Sequence, residues 1–170
     1  MKKFVSIIFV LLISSFLQAG AFDGAPSTKT VGLGIILGSP TGLSGRFALS
    51  KENSIDFALS YSSNHNDHDD DYHYHIHADY LYKFYDVIAI KKGELPFYAG
   101  IGARITEYDR DHHDYHHDDE TFIGLRVPGG IQYEFANAPF EIFAEIALIL
   151  DVVPEMDVDF NAGLGARFCF

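Results

Sequence analysis

The chain has 170 residues, a formal net charge of −12, 48% hydrophobic residues and 15% aromatic residues. That length holds one domain, the acidic surplus argues against nucleic acid as a partner, and Cys169, the single cysteine, excludes an internal disulfide. Residues 1–21 read as an export signal: Lys2 and Lys3 form a positive start, Phe4 to Phe16 is an apolar run, and Ala19-Gly20-Ala21 has the small-x-small form of a cleavage site. The apolar run is short for a bilayer span, so cleavage is expected rather than anchoring. Its loss leaves 10 basic against 24 acidic residues.

Beyond the signal, hydrophobicity repeats with period two. Ile55, Phe57, Leu59 and Tyr61 alternate with Asp56, Ala58, Ser60 and Ser62, and only a half-buried strand sorts these residues onto two faces. Turn-forming clusters divide the rest into eight predicted strands, at about 30–37, 42–50, 54–62, 74–85, 96–108, 121–135, 140–150 and 157–170. The connections at Lys51, Lys91 and Ala136 are short, whereas two polar inserts, 63–77 and 107–120, are long.

One strand face is apolar without a charge. The other carries Arg46, Asp56, Asp79, Lys83, Arg104, Arg126, Gln132, Glu134, Glu141, Glu145, Asp159 and Arg167, with many glycines between them. Periodicity alone also fits a soluble sandwich or lipocalin. Strands long enough to span, an even strand number and connections that alternate in length favour an all-β fold over 22–170, an eight-stranded antiparallel up-and-down transmembrane β-barrel. With both termini in the periplasm, the two long inserts face outward. An eight-stranded lumen is just wide enough for side chains, so the inward charges are expected to pair and to plug it.

The C-terminal run Gly165-Ala166-Arg167-Phe168-Cys169-Phe170 resembles the terminal sorting signal of outer-membrane barrels, with Gly165, Phe168 and Phe170 at the signal positions. The resemblance implies the bacterial outer membrane as location, its lipid as surroundings and the barrel-assembly machinery as a partner. The mature chain resembles the small barrels of the OmpX and OmpA transmembrane-domain type, departing from them in the composition of its inserts. The segment from Gly32 to Gly42 is similar to the opening of a poorly characterised family of small surface barrels, which implies no specific activity.

All nine histidines fall in the inserts. His65, His68, His73, His75 and His77 accompany Asp67 and Asp69 to Asp71; His112, His113, His116 and His117 accompany five aspartates and Glu120. Imidazole with carboxylate suits Zn, Ni or Cu. The run His73-x-His75-x-His77-x-Asp79, if extended, places all four side chains on the lumen side about 7 Å apart, near enough to share an ion. Tyr72 and Tyr74 then face an interfacial aromatic girdle. The same composition also fits a pH switch or a solvated acidic loop. A nucleophilic site needs Ser, His and carboxylate within hydrogen-bond reach, and Ser60 and Ser62 show no fixed partner. Cys169 is expected to fill space on the inward face. The expectation is a non-enzymatic surface barrel without an obligatory cofactor, whose inserts bind divalent metal, an external ligand or both. The alternatives are a structural barrel or adhesin without metal; a lipid-modifying enzyme or small pore is disfavoured.

Overall fold

The computed structural model describes residues 30–66, 69–85, 87–110 and 120–170. The expected export segment, His68, His112, His113, His116 and His117 lie outside them. Eight strands follow in chain order: β1 (Val31–Ser39), β2 (Gly42–Ala48), β3 (Asn53–Asn66), β4 (Asp69–Phe84), β5 (Phe97–Arg110), β6 (Glu120–Glu134), β7 (Phe140–Val153) and β8 (Asp157–Cys169). Each pairs with the next and β8 closes on β1, giving an antiparallel up-and-down barrel. The seam is tied at the termini by Val31 N–H to the Phe170 carbonyl and Phe170 N–H to the Val31 carbonyl, 3.1 and 2.8 Å.

The upper strand ends depart from the sequence expectation, and those flanking the two polar inserts share a cause. Residues 63–66 and 69–73, expected in a surface loop, are strand: β3 and β4 stay in register from Ser62↔His73 to Asn66↔Asp69. Likewise β5 continues to Arg110 and β6 begins at Glu120. Ladder hydrogen bonds propagate from an already paired neighbour and need no apolar face, so Asp- and His-rich sequence extends a hairpin without the alternation that announces one. At the same end β7 runs on to Val153, with a register shift between Ile123 and Gly124 on β6.

The two faces are inverted relative to a water-soluble barrel. Leu43, Ile101, Ile146 and Leu164 are each at least 60% exposed, while Arg46, Asp79, Lys83, Arg126, Glu141 and Arg167 are buried. Aromatic pairs border the apolar belt. Tyr82–Phe84, Tyr133–Phe135 and Phe140–Phe168 lie at the end carrying the termini, the lower end; Tyr61–Tyr74 lies at the upper end. On β4, Tyr74 and Phe84 are ten positions apart. A strand tilted about 40° makes that about 25 Å of height, the thickness of the apolar band of outer-membrane barrels.

Inside, bulky side chains lie over glycines of the next strand. Leu81 lies over Gly100, Tyr98 over Gly130 and Phe143 over Gly165, so a Cβ at any of these glycines would run into the ring or methyl group there. With Ile36 and Ala58 these three residues form an apolar cluster in the lumen, which the sequence reading, with its plug of charges alone, did not contain. The Arg167 guanidinium stacks on the Phe143 ring at 4.0 Å. Replacing Gly165→Val is expected to cost about 1–3 kcal/mol by overpacking. In urea unfolding of the refolded barrel, G165V and Phe143→Ala combined should cost less than their summed single losses, because the second change removes the colliding ring. Strict additivity would show that ring and glycine do not compete for space.

Candidate functional site

Alternation along β4 sends His75, His77, Asp79, Leu81 and Lys83 inward and Tyr74, Ile76, Tyr80 and Tyr82 outward. The three candidate ligands whose side chains are described therefore share the lumen face, as the period-two reading requires, and all are buried. His65 and His73 are placed by backbone register alone, opposite Asp70 and Ser62.

The ring nitrogens form a directed chain. His75 Nδ1 lies 3.1 Å from Thr106 Oγ1, and His75 Nε2 lies 3.0 Å from His77 Nδ1. His77 Nε2 is 3.8 Å from Asp79 Oδ2. A carboxylate repels a lone pair and attracts an N–H, so Asp79 selects the His77 tautomer protonated at Nε2. His77 Nδ1 is then the acceptor, His75 Nε2–H donates to it, and His75 Nδ1 accepts from the Thr106 hydroxyl.

Asp79 is held from its other side. Arg126 donates to Asp79 Oδ2 and, at 2.5 Å, to Glu145 Oε1, and the Tyr98 hydroxyl donates to Glu145 Oε2 at 3.0 Å. A second guanidinium, Arg104, reaches Asp151 at 2.5 Å and Asp159 at 2.8 Å. Below these, Arg46, Lys83 and Arg167 pair with Glu134, Glu141 and Asp56. The Cys169 thiol donates to Glu141 at 3.3 Å from its inward position. Beneath lies a cavity of about 220 Å³ lined by Arg46, Lys83, Tyr85, Glu134, Glu141 and Cys169. There, outside the strands, burial and the neighbouring Glu134 carboxylate hold the Tyr85 hydroxyl above its ordinary range.

Asp151 and Thr106 were missed by sequence reasoning. Asp151 shares parity with Glu141 and Glu145 and lay one position beyond the expected end of β7; Thr106 shares parity with Arg104. Among the described residues, one group of three could offer a cation its ligand atoms within 4.8 Å of one another, namely His77, Asp79 and Glu145. Arg126 already bridges its two carboxylates. Of the residues expected to form a sorting signal, Phe168 and Phe170 point outward, and Gly165 receives the Phe143 ring inside.

Arg126→Met leaves Asp79 and Glu145 as buried carboxylates without their cation, and is expected to cost about 3–5 kcal/mol. Adding Asp79→Asn and Glu145→Gln should recover most of that loss in the same urea titration. No recovery would mean that the guanidinium acts by packing and not by charge.

A family model described as "Protein of unknown function (DUF3996)" matches residues 25–168. No curated protein matches the chain by sequence. Among solved structures, the N-terminal β-barrel domain of Pseudomonas aeruginosa OprF is 18% identical, with a TM-score of 0.56 over 82% of this chain and 95% of that one. Neisserial surface protein A is 16% identical, TM-score 0.54, covering 82% and 93%. Ail, the attachment invasion locus protein of Yersinia pestis, solved with the heparin analogue sucrose octasulfate, is 16% identical, TM-score 0.51, covering 82% and 94%. At such identities the likeness shows the fold, that of the small eight-stranded outer-membrane barrels.

Proposed function

The chain belongs to the DUF3996 family of proteins of unknown function, and from that premise we propose that it is a non-enzymatic barrel of the bacterial outer membrane that displays histidine- and aspartate-rich hairpins outward to bind divalent metal. The observation that carries the membrane reading is the inversion of faces. Buried Arg126, Asp79 and Glu141 against an exposed belt of Leu, Ile and Phe is the arrangement that lipid outside and a packed polar lumen inside both favour. Export by residues 1–21 and delivery to the barrel-assembly machinery through Gly165, Phe168 and Phe170 complete this reading.

In the sequence, His65, His68, Asp69, Asp70 and Asp71 crowd one polar insert and His112, His113, Asp114, His116 and His117 the other. Ail was crystallised with a polyanion; the acidic hairpins here suit a cation instead. Neutral imidazoles take Zn, Ni or Cu, and carboxylates raise the local cation concentration.

Single cysteines at Asp69 and Lys91 test the orientation with a membrane-impermeant maleimide on intact cells. Asp69→Cys should label and Lys91→Cys should not; the reverse pattern would invert the barrel. In planar bilayers the purified protein should give no large ohmic conductance, since three ion-pair networks and an apolar cluster fill the lumen. Calorimetric titration with Zn, Ni and Cu should show binding that weakens as pH falls through the imidazole range, because a protonated ring has no lone pair to donate. Binding unchanged at pH 5 would remove histidine from the site.

A further inference from the structure

We propose that His75 and His77 together chelate one divalent ion of tetragonal preference, Cu(II) or Ni(II), at the upper end of the lumen. This rests on the reading that the outward side binds divalent metal, and it narrows that reading to one built site with named donor atoms.

The first argument is geometric. His75 Nε2 and His77 Nδ1 converge to 3.0 Å. Two nitrogens that far apart, each about 2.0–2.1 Å from an ion, subtend about 95° at it. That is close to the right angle of square-planar or octahedral coordination and well below the tetrahedral angle of about 109° that structural zinc adopts. Each ring must turn so that its lone pair meets the ion and not the opposite nitrogen; water completes the coordination.

The second argument is that the other nitrogen of each ring already lies beside a group that can orient it. His77 Nε2 faces Asp79, and His75 Nδ1 contacts the Thr106 hydroxyl. Metal-bound histidines are oriented in this way by a carboxylate or hydroxyl on the far nitrogen. On binding, the His75 proton leaves Nε2 and Nδ1 takes one up, donating it to Thr106 Oγ1, so the neutral pair releases no net proton. β4 is laddered on both sides here, His75 against Ser60 and Thr106, His77 against Ala58 and Arg104, and little order remains to be gained when the ion arrives.

The third argument is charge. In the lower network Arg46, Lys83 and Arg167 meet Asp56, Glu134 and Glu141, three against three. In the upper networks Arg126 and Arg104 each serve two carboxylates, a formal surplus of two negative charges. His75 lies within electrostatic reach of Arg104 and Arg126 as well as of Asp159 and Asp151, and His77 lies between Arg126 and Asp79, so the carboxylates and the guanidiniums that serve them both face the pair. One divalent ion on the histidine pair would balance that surplus without displacing Arg126, which an ion between His77, Asp79 and Glu145 would have to evict.

The test is Cu(II) titration of the refolded full barrel in detergent, read by electron paramagnetic resonance. The first equivalent should give an axial spectrum with coupling to two nitrogens. His75→Gln and His77→Gln should each weaken that equivalent by roughly tenfold or more, since one arm of the chelate is lost. His112→Gln with His116→Gln should leave it unchanged. If the two-nitrogen signal persists in both single variants, the site lies on other histidines: this inference falls and the broader metal reading stands. If none of Cu, Ni or Zn binds, both fall. Should the variants not refold, the wild-type spectrum decides, because a first equivalent without a nitrogen pair overturns the assignment.

Discussion

Separating a guanidinium from its carboxylates inside a protein strands charge where water cannot reach it, and the lumen is arranged around avoiding that outcome. Arg126 of β6 ties Asp79 of β4 to Glu145 of β7, so the bond reaches past β5 instead of staying within one ladder. The strand between β4 and β6 supplies Gly102, where a Cβ would strike the Asp79 carboxylate. Charge pairing therefore dictates where side chains must be missing, and the missing side chains let the strands close at this diameter. With the charges paired inside, the outer face is left to the apolar residues that lipid favours.

That inversion also bears on what the lumen can do. From the lower end upward it contains a cavity, a balanced ion-pair network, an apolar cluster and two networks sharing guanidiniums, which leaves little continuous space for a solute. The described lumen serines are engaged in structure. Ser60 donates to the Thr41 carbonyl at 2.6 Å, Ser54 to Asp56 at 2.7 Å, and Ser44 accepts from Arg167 at 2.9 Å. A hydroxyl held in this way is poorly placed to be activated as a nucleophile by His75 or His77, whose nitrogens face each other, Thr106 and Asp79.

The barrel and the inward set of charges were legible because parity is a local property: one correct phase along β4 places His75, His77, Asp79 and Lys83 at once. Partners were not legible, since Arg104 finds Asp151 and Asp159 on β7 and β8, 47 and 55 positions away. Leu81 and Phe143 were overlooked because an apolar residue at a polar-phase position looks like noise until the glycine opposite is known. Composition concealed the β3–β4 extension, where Asp and His follow one another with no apolar alternation in the sequence. The shared face of the candidate ligands could thus be read from sequence, but the 3.0 Å approach of two particular nitrogens could not.

The strands also end at unequal heights. β2 stops at Gly42, opposite Ser60, whereas β3 continues to Asn66. Above that level β3 is the outer member of a raised wall, and a strand in that position offers backbone donors and acceptors to any extended chain that drifts alongside. Two copies side by side in one membrane would bring such edges together. The strand paired behind this edge begins Asp69-Asp70-Asp71, so two approaching copies meet as like charges. Whatever else the aspartates bind, their repulsion opposes the edge-to-edge stitching that would turn separate barrels into an aggregate.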